Sequence, residues 1–143
     1  MIDISDKNIV KRRARASGII TLQSETIARI KNNEVKKGDV LTIARIAGIN
    51  AVKKVPDLIP LCHPIPIHNV DMEFTFESPT EIKVICDVFS QAKTGVEMEA
   101  LTGATVALLN IWDVVKMYEK DKNGQYPAAA ISEIIVEKKI KEE

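Results

Sequence analysis

The chain has 143 residues, of which 45% are hydrophobic and 28% are charged, and its 20 basic and 20 acidic side chains cancel to zero net charge. This size and composition are typical of one globular domain, residues 1–143, and the charge balance argues against a general nucleic-acid binder. Two cysteines give no disulfide framework, so a reducing cytoplasm is expected. The first residues lack a signal-peptide pattern, and the longest uncharged apolar run, residues 100–112, is too short to span a bilayer.

The N-terminal half predicts one strand followed by two helices. Residues 14–23 end in a β-branched run that favours a strand. Ser24 is expected to cap the next helix, with Glu25 in its first turn. Asp39 is expected to cap a second helix, which should end before Pro56.

The C-terminal half predicts a hairpin, a long helix and a last strand. Residues 69–77 alternate apolar and polar side chains, and the turn SPTE joins them to a strand over 82–91. The long helix begins near Val96, and residues 130–140 form the last strand. The order β-α-α-β-β-α-β predicts an α+β fold of the ferredoxin-like split β-α-β type, with an antiparallel four-stranded sheet and helices packed on one face.

The long helix carries no charge between Ala100 and Trp112. A helix that is apolar on every side is buried on every side. A two-layer domain offers it one core face, so its other side is expected to contact another subunit. Gly103, Ala104 and Ala107 are small enough for a partner to approach closely. The alternative is a helix enclosed within its own domain.

The segment DLIPLCHPIPIHNV sets Cys62 and His63 among three prolines. Adjacent extended side chains point to opposite faces and the spacing matches no zinc motif, so a metal site is disfavoured. A stiff structural corner explains the prolines. A rigid backbone around a titratable group is also what a preorganised active site needs. This segment alone leaves the structural and the catalytic interpretation open.

Two groups of charged residues on the long helix are candidates for chemistry. Glu97 and Glu99 flank Met98 at its start, where acids gain from the helix dipole, and their spacing predicts that they face nearly opposite ways. Asp113 and Lys116 share a helical face. The ordinary interpretation is a surface ion pair of little energetic value, but a carboxylate at the edge of such an apolar stretch is a candidate for a perturbed pKa.

Two long segments, KGDVLTIARIAGINAVKKVPDLIPLCHPIPI and KTGVEMEALTGATVALLNIWDVVK, resemble the signatures of the cyclic pyranopterin monophosphate synthases, the MoaC family of molybdenum cofactor biosynthesis. The resemblance runs from Ile2 to the last predicted strand. It implies a phosphorus–oxygen lyase that works after a radical GTP cyclase. This lyase converts (8S)-3′,8-cyclo-7,8-dihydroguanosine 5′-triphosphate to the pterin product, cyclic pyranopterin monophosphate, and releases pyrophosphate.

The resemblance also implies a cytoplasmic homohexamer, a trimer of dimers with the active site at a subunit interface. Charge balance, the short apolar run and the Cys–His spacing predict no nucleic-acid partner, no membrane partner and no protein-bound metal. No resident cofactor is expected, and the sequence leaves open whether magnesium accompanies the triphosphate. The chain departs from the family at its end, where EKKIKEE stands in place of a glycine-rich KSGGKSG tail, and around Asp113, where LNIWDV stands for LTIYDM.

Site residues follow from the resemblance one position at a time. Those that match substrate-contacting segments are Leu61, Cys62, His63, Glu97, Met98 and Glu99, and Arg12 matches an arginine expected to bind phosphate. Those that match residues with catalytic roles are Asp113, Lys37 and Lys116. Lys138 or Lys139 corresponds to a lysine near the C-terminus, and the sequence leaves both as candidates.

The spacing along the long helix makes a separate prediction about the site. Fourteen residues separate Glu99 from Asp113, which is roughly 21 Å on one continuous helix. A nucleotide-sized ligand does not touch both within one chain. We therefore expect a composite site, with Asp113 and Lys116 from one subunit and the LCH and EME segments from its neighbour.

Two other classes of protein are alternatives. A non-catalytic oligomeric scaffold or ligand sensor explains the apolar helix, but not the rigid LCHP segment or the Asp–Lys pair. An RNA-binding sheet needs exposed aromatic side chains on its central strands, and the chain has one Trp, two Tyr and three Phe in all. The three that lie on predicted strands, Phe74, Phe76 and Phe89, are expected in the core.

Overall fold

A computed structural model of the protein describes residues 1–143. Its elements are β1 (Val10–Thr21), α1 (Ser24–Lys31), α2 (Val40–Val52), α3 (Val55–Leu58), β2 (Asn69–Ser78), β3 (Glu81–Ala92), α4 (Glu97–Glu119) and β4 (Ala130–Glu142). The order is the one expected, with the four-residue α3 added after α2. Pro56 lies in the first turn of α3, where its missing N–H removes no helical hydrogen bond.

The four strands form one sheet in the order β2-β3-β1-β4, and every neighbouring pair is antiparallel. The helix α4 packs on β1 and β3, and α2 packs beside it against β2. The α+β ferredoxin-like fold with helices on one face is therefore confirmed. The other face of the sheet is open and carries mostly polar and charged side chains.

Alternation along the hairpin decides which side chains enter the core. Met72 is buried, and Phe74 and Phe76 pack against the core cluster, as the sequence predicts. The expectation that Phe89 is a core residue is wrong. In β3 the buried positions flanking it are Val88 and Ser90, so Phe89 points to the open face, where its ring meets the edge of the His68 ring.

The small residues of α4 face the inside of the subunit, which corrects the expectation that they receive a partner. A Cβ at Gly103 would lie 2.7 Å from Val52 Cγ2 and 2.7 Å from Cys86 Sγ. Gly48 of α2 lies equally close to α4. A Cβ at position 48 would lie 2.9 Å from the Gly103 carbonyl oxygen. Ala104 and Ala107 are also completely buried. These residues let α2 and α4 pack together on the sheet.

The remaining exposed apolar surface of α4 lies elsewhere. Leu109 is 53% exposed and points away from the core. By length and composition alone, α4 resembles a membrane-spanning helix, but half of its most apolar window is buried. Here it is the core helix of the domain, packed against the sheet and against α2.

The N-terminus of α1 is capped by a distant residue. Ser24 is the first helical residue and not the cap, and the side chain of Gln23 before it makes no cap hydrogen bond. Instead Glu119 of α4, 1% exposed, accepts the Gln23 backbone N–H at 3.1 and 3.2 Å and also accepts the Thr26 hydroxyl. A carboxylate is favoured there because the helix N-terminus presents unpaired N–H groups and positive charge.

Replacing Glu119 by alanine should therefore lower the free energy of unfolding by about 1–3 kcal/mol, because buried donors lose their acceptor. Urea unfolding at fixed protein concentration measures the loss. Glu34→Ala removes an exposed glutamate and should change stability by less than about 0.5 kcal/mol. Equal losses in the two variants would contradict the capping role.

Candidate active site

The residues that follow the LCHP segment are hydrogen-bonded to the end of β3. Residues 63–68 adopt no regular secondary structure. The Ser90 hydroxyl donates to the Pro66 carbonyl at 2.5 Å, and the His68 backbone N–H donates to the Phe89 carbonyl at 3.0 Å. Together with the prolines, these contacts fix the position of the preceding Cys62 and His63.

The EME segment forms the first turn of α4. The Glu97 carboxylate folds back over Gly95, where a Cβ would lie 1.9 Å from Glu97 Oε2, so a side chain at position 95 would displace it. Lys139 of β4 forms an ion pair with Glu97. Burial alone would raise the pKa of Glu97, but hydrogen bonds, chiefly from Lys139, outweigh it and lower that pKa.

Glu99 lies in a different electrostatic environment. It is 4% exposed and forms no ion pair, and burial raises its pKa, with a further contribution from the charge on Glu97. Two neighbouring carboxyl groups therefore have pKa values shifted in opposite directions. Such a pair suits proton transfer, because one group stays ionised while the other keeps its proton to a higher pH.

The two segments share one cavity of about 630 Å³, a size typical of small-molecule sites. It is lined by Met1, Ile2, Ile4, Lys7, Leu61, Cys62, His63, Thr94, Gly95, Glu97, Met98 and Glu99. All six residues expected in substrate-contacting segments border it. Glu97 and Glu99, expected to face nearly opposite ways, both border it.

His63 is not a buried packing residue. Its Nε2 lies 2.7 Å from the Ile2 carbonyl oxygen. A carbonyl oxygen only accepts, so Nε2 carries the proton and donates. The functional interpretation of this histidine, which the segment alone left open, is therefore favoured by its place on the cavity wall.

Arg12 lies beside the cavity and not in its lining. It is paired with Ser90 across the sheet, and its Nη2 donates to the Lys93 carbonyl at 3.4 Å. Its positive charge contributes to the lowered pKa of Glu97. Arg12 Nε is buried without a hydrogen-bond partner.

A second group of charges lies near the other end of α4. Lys116 Nζ is 2.8 Å from Asp113 Oδ1, and Lys37 Nζ is 3.4 Å from Asp113 Oδ2 and 2.9 Å from the Asp113 carbonyl oxygen. Lys116, and then Lys37, lower the pKa of Asp113, while Asp113 raises the pKa of Lys116. Asp113 therefore stays a carboxylate and Lys116 stays an ammonium. The pair expected from the helical spacing is present and is joined by Lys37.

The two groups of residues do not meet within one chain. None of Asp113, Lys37 and Lys116 lines the cavity, and α4 is one continuous helix between Glu99 and Asp113. The separation expected from the sequence is therefore present. The side chain of Asp113 is 58% exposed, which leaves it accessible to a molecule outside this subunit.

The structure distinguishes the two candidate lysines near the C-terminus. Lys139 reaches the cavity wall through Glu97. Lys138 points to the open face, where it borders a small pocket with Arg13, Arg15 and Asp87. Neighbouring strand residues point to opposite faces, so only one of the two reaches the cavity.

Sequence reasoning missed the residues that complete the cavity from other segments. Thr94 and Gly95 belong to the same KTGVEME motif as the EME segment, one residue before it, so that motif was a usable signal. The N-terminal residues Ile2 and Ile4 carry no pattern that predicts a place in a cavity. The contact of the Ile2 carbonyl oxygen with His63 joins residues 61 positions apart.

The structure is that of a ferredoxin-like subunit with a charged cavity of small-molecule size and a separate lysine–carboxylate group. The chain belongs to the MoaC family, whose sequence profile matches residues 1–141.

Curated relatives match along nearly the whole chain. A protein of Sulfurisphaera tokodaii is 57% identical over 99% of this chain and 93% of its own length. Proteins of Archaeoglobus fulgidus and Sulfolobus acidocaldarius are 56% and 52% identical over 99% of this chain, and over 90% and 98% of their own lengths. Each of the three is named a probable cyclic pyranopterin monophosphate synthase.

Proposed function

We propose that this chain catalyses the reaction for which its relatives are named, as a lyase of molybdenum cofactor biosynthesis. The substrate is the cyclised dihydroguanosine triphosphate, and the products are cyclic pyranopterin monophosphate and pyrophosphate. The observation that carries the proposal is the whole-length match to these relatives, together with the cavity that the LCH and EME segments form.

The cavity residues are proposed to hold and protonate the ring system that rearranges. His63, whose Nε2 donates to the Ile2 carbonyl oxygen, borders the cavity and is proposed to position the substrate, and Leu61 and Met98 supply apolar wall. Glu99, whose burial raises its pKa, is the cavity acid best suited to exchange a proton. Arg12, beside the cavity, is proposed to neutralise phosphate charge.

The Asp113 group is proposed to act on the protons and the charge that develop during the reaction. Lys116 acts as a cation, because Asp113 raises its pKa and keeps it protonated. Asp113 serves as a base or as the group that orients the two ammonium groups. Lys37 completes the group from the loop between α1 and α2 and takes part in proton transfer.

Since one chain separates the cavity from the Asp113 group, the active site is proposed to be composite, with one group from each of two neighbouring subunits. A homohexamer built as a trimer of dimers in the cytoplasm is the proposed assembly. Exposed apolar side chains support an association of subunits, among them Leu109 on α4 and Ile135 on β4. We also propose that the enzyme works without a resident cofactor.

The test of the function is direct. The purified protein is given the cyclised dihydroguanosine triphosphate, and pyrophosphate and the pterin product are followed together. One pyrophosphate per product molecule is expected, and none from GTP as the control substrate. A folded protein that binds the substrate without releasing pyrophosphate would instead be a ligand-sensing module.

A further inference from the structure

We propose that Tyr118 is a positioning residue for Lys37, acting through the backbone of the loop that joins α1 to α2. The inference rests on the proposed function, which gives Lys37 its part in the chemistry. Tyr118 belongs to the last turn of α4 and touches neither the cavity nor Asp113. It acts on the residue next to Lys37.

Two neighbouring residues of the loop contact α4 at two points. The Lys36 backbone N–H donates to the Tyr118 hydroxyl at 2.9 Å. Lys37 Nζ donates to the Asp113 carbonyl oxygen at 2.9 Å. Both acceptors belong to α4, so the first contact sets where the backbone of Lys37 stands relative to Asp113.

The Tyr118 hydroxyl is itself held in place. Its ring is half-buried and the Arg29 guanidinium lies 4.6 Å from the ring centroid. The loop is shaped on either side of the contact by Asn33 and Gly38, with φ of 54° and 127°. The Tyr118 hydroxyl is therefore an acceptor of fixed position, and its hydrogen bond with the Lys36 N–H joins the loop between α1 and α2 to α4.

The ion pair of Lys37 does not provide this anchoring. The side chains of Lys37 and Asp113 are 42% and 58% exposed, and exposed ion pairs contribute little stability. A lysine side chain has four rotatable bonds, so the position of its ammonium group depends on a well-fixed backbone. The contact from Lys36 to Tyr118 is the one hydrogen bond from the backbone of these two lysines to α4.

Tyr118→Phe keeps the ring and removes the acceptor. We expect kcat to fall about tenfold, the value of one hydrogen bond, with KM changed less than twofold. With Lys37 displaced and Lys116 still in place, Asp113 should show a pKa raised part of the way toward its ordinary value when its side-chain carboxyl is titrated by carbon-13 NMR. Lys36→Ala retains the backbone N–H and should leave both quantities unchanged.

A double variant separates positioning from a structural role. If Tyr118 acts through Lys37, Tyr118→Phe should lower kcat no further in a Lys37→Ala background. Losses that multiply in the double variant, or an unchanged Asp113 titration in Tyr118→Phe, would overturn the inference.

The NMR titration uses no substrate, so it also separates the two proposals. A raised Asp113 pKa in Tyr118→Phe, in a protein that releases no pyrophosphate, would support the positioning and reject the function. If Tyr118→Phe fails to fold, hydrogen exchange at the Lys36 amide of the wild type decides. Protection supports the hydrogen bond, and exchange at the rate of a free amide overturns it.

Discussion

Asp113→Asn is expected to lower kcat for pyrophosphate release by about 10²–10⁴-fold, the usual contribution of a group that moves a proton in the transition state. Asparagine keeps the shape of the side chain but carries no charge and accepts no proton. Lys116 and Lys37 both contact this carboxylate and lower its pKa, so the wild-type group is ionised at neutral pH. The substitution removes the counterion of both.

Steady-state kinetics on the folded protein measure this loss. Glu34→Gln is the matched control, because it neutralises an exposed acid that belongs to the loop joining α1 to α2 and forms no ion pair. It should retain wild-type turnover. Asp113→Asn with normal turnover and normal substrate binding would remove Asp113 from the chemistry and favour a sensor of the same fold.

Lys37→Ala is expected to lower kcat by about 10²–10³-fold while KM changes little. The ammonium group of Lys37 approaches Asp113 from the loop between α1 and α2, and removing it takes away a positive charge and a proton. The substitution should also raise the pKa of Asp113, since Lys37 is one of the two cations that lower it.

The neighbouring lysine gives the control. Lys36→Ala removes an exposed side chain that forms no ion pair, so its kinetic constants should match those of the wild type. A Lys37→Ala variant with wild-type kcat and a raised KM would make Lys37 a binding group only. Equal losses in both variants would point to a damaged loop.

Local patterns were sufficient to predict most of the fold. The alternation in β2 predicted its inward face, and Asp39 caps α2 as expected, accepting the Thr42 backbone N–H at 3.1 Å. Each of these patterns involves residues only a few positions apart, so it can be recognised in one short stretch of sequence. The order of elements then leaves few sheet topologies to choose from.

Contacts between distant segments were not predictable in this way. Ser24 is of a residue type that often caps helices, but the N-terminus of α1 is capped by Glu119. Glu119 lies 96 positions after Gln23, whose backbone N–H it accepts. Gly103 has the right size for a partner helix, but it receives Val52 of α2 within the same subunit. Residue type predicts what a side chain is able to do, and tertiary packing decides which neighbour it meets.

The same division holds in the candidate site. Cys62 and His63 were found because they are consecutive in a rigid segment, and Asp113 with Lys116 because they share a helical face. The role of Lys139 at Glu97 depends on which face of β4 it occupies, and the register shifts in the pairing of β1 with β4 obscure this in the sequence.

One active site is proposed to need the cavity of one subunit and the Asp113 group of another. The most direct measurement mixes Asp113→Ala chains with Glu99→Ala chains, each expected to be inactive alone, and follows pyrophosphate release after subunit exchange. In randomly mixed symmetric dimers one site of every hybrid is intact, so about a quarter of the wild-type activity should return. Hybrids that form, as native mass spectrometry would show, but remain inactive would contradict the shared site.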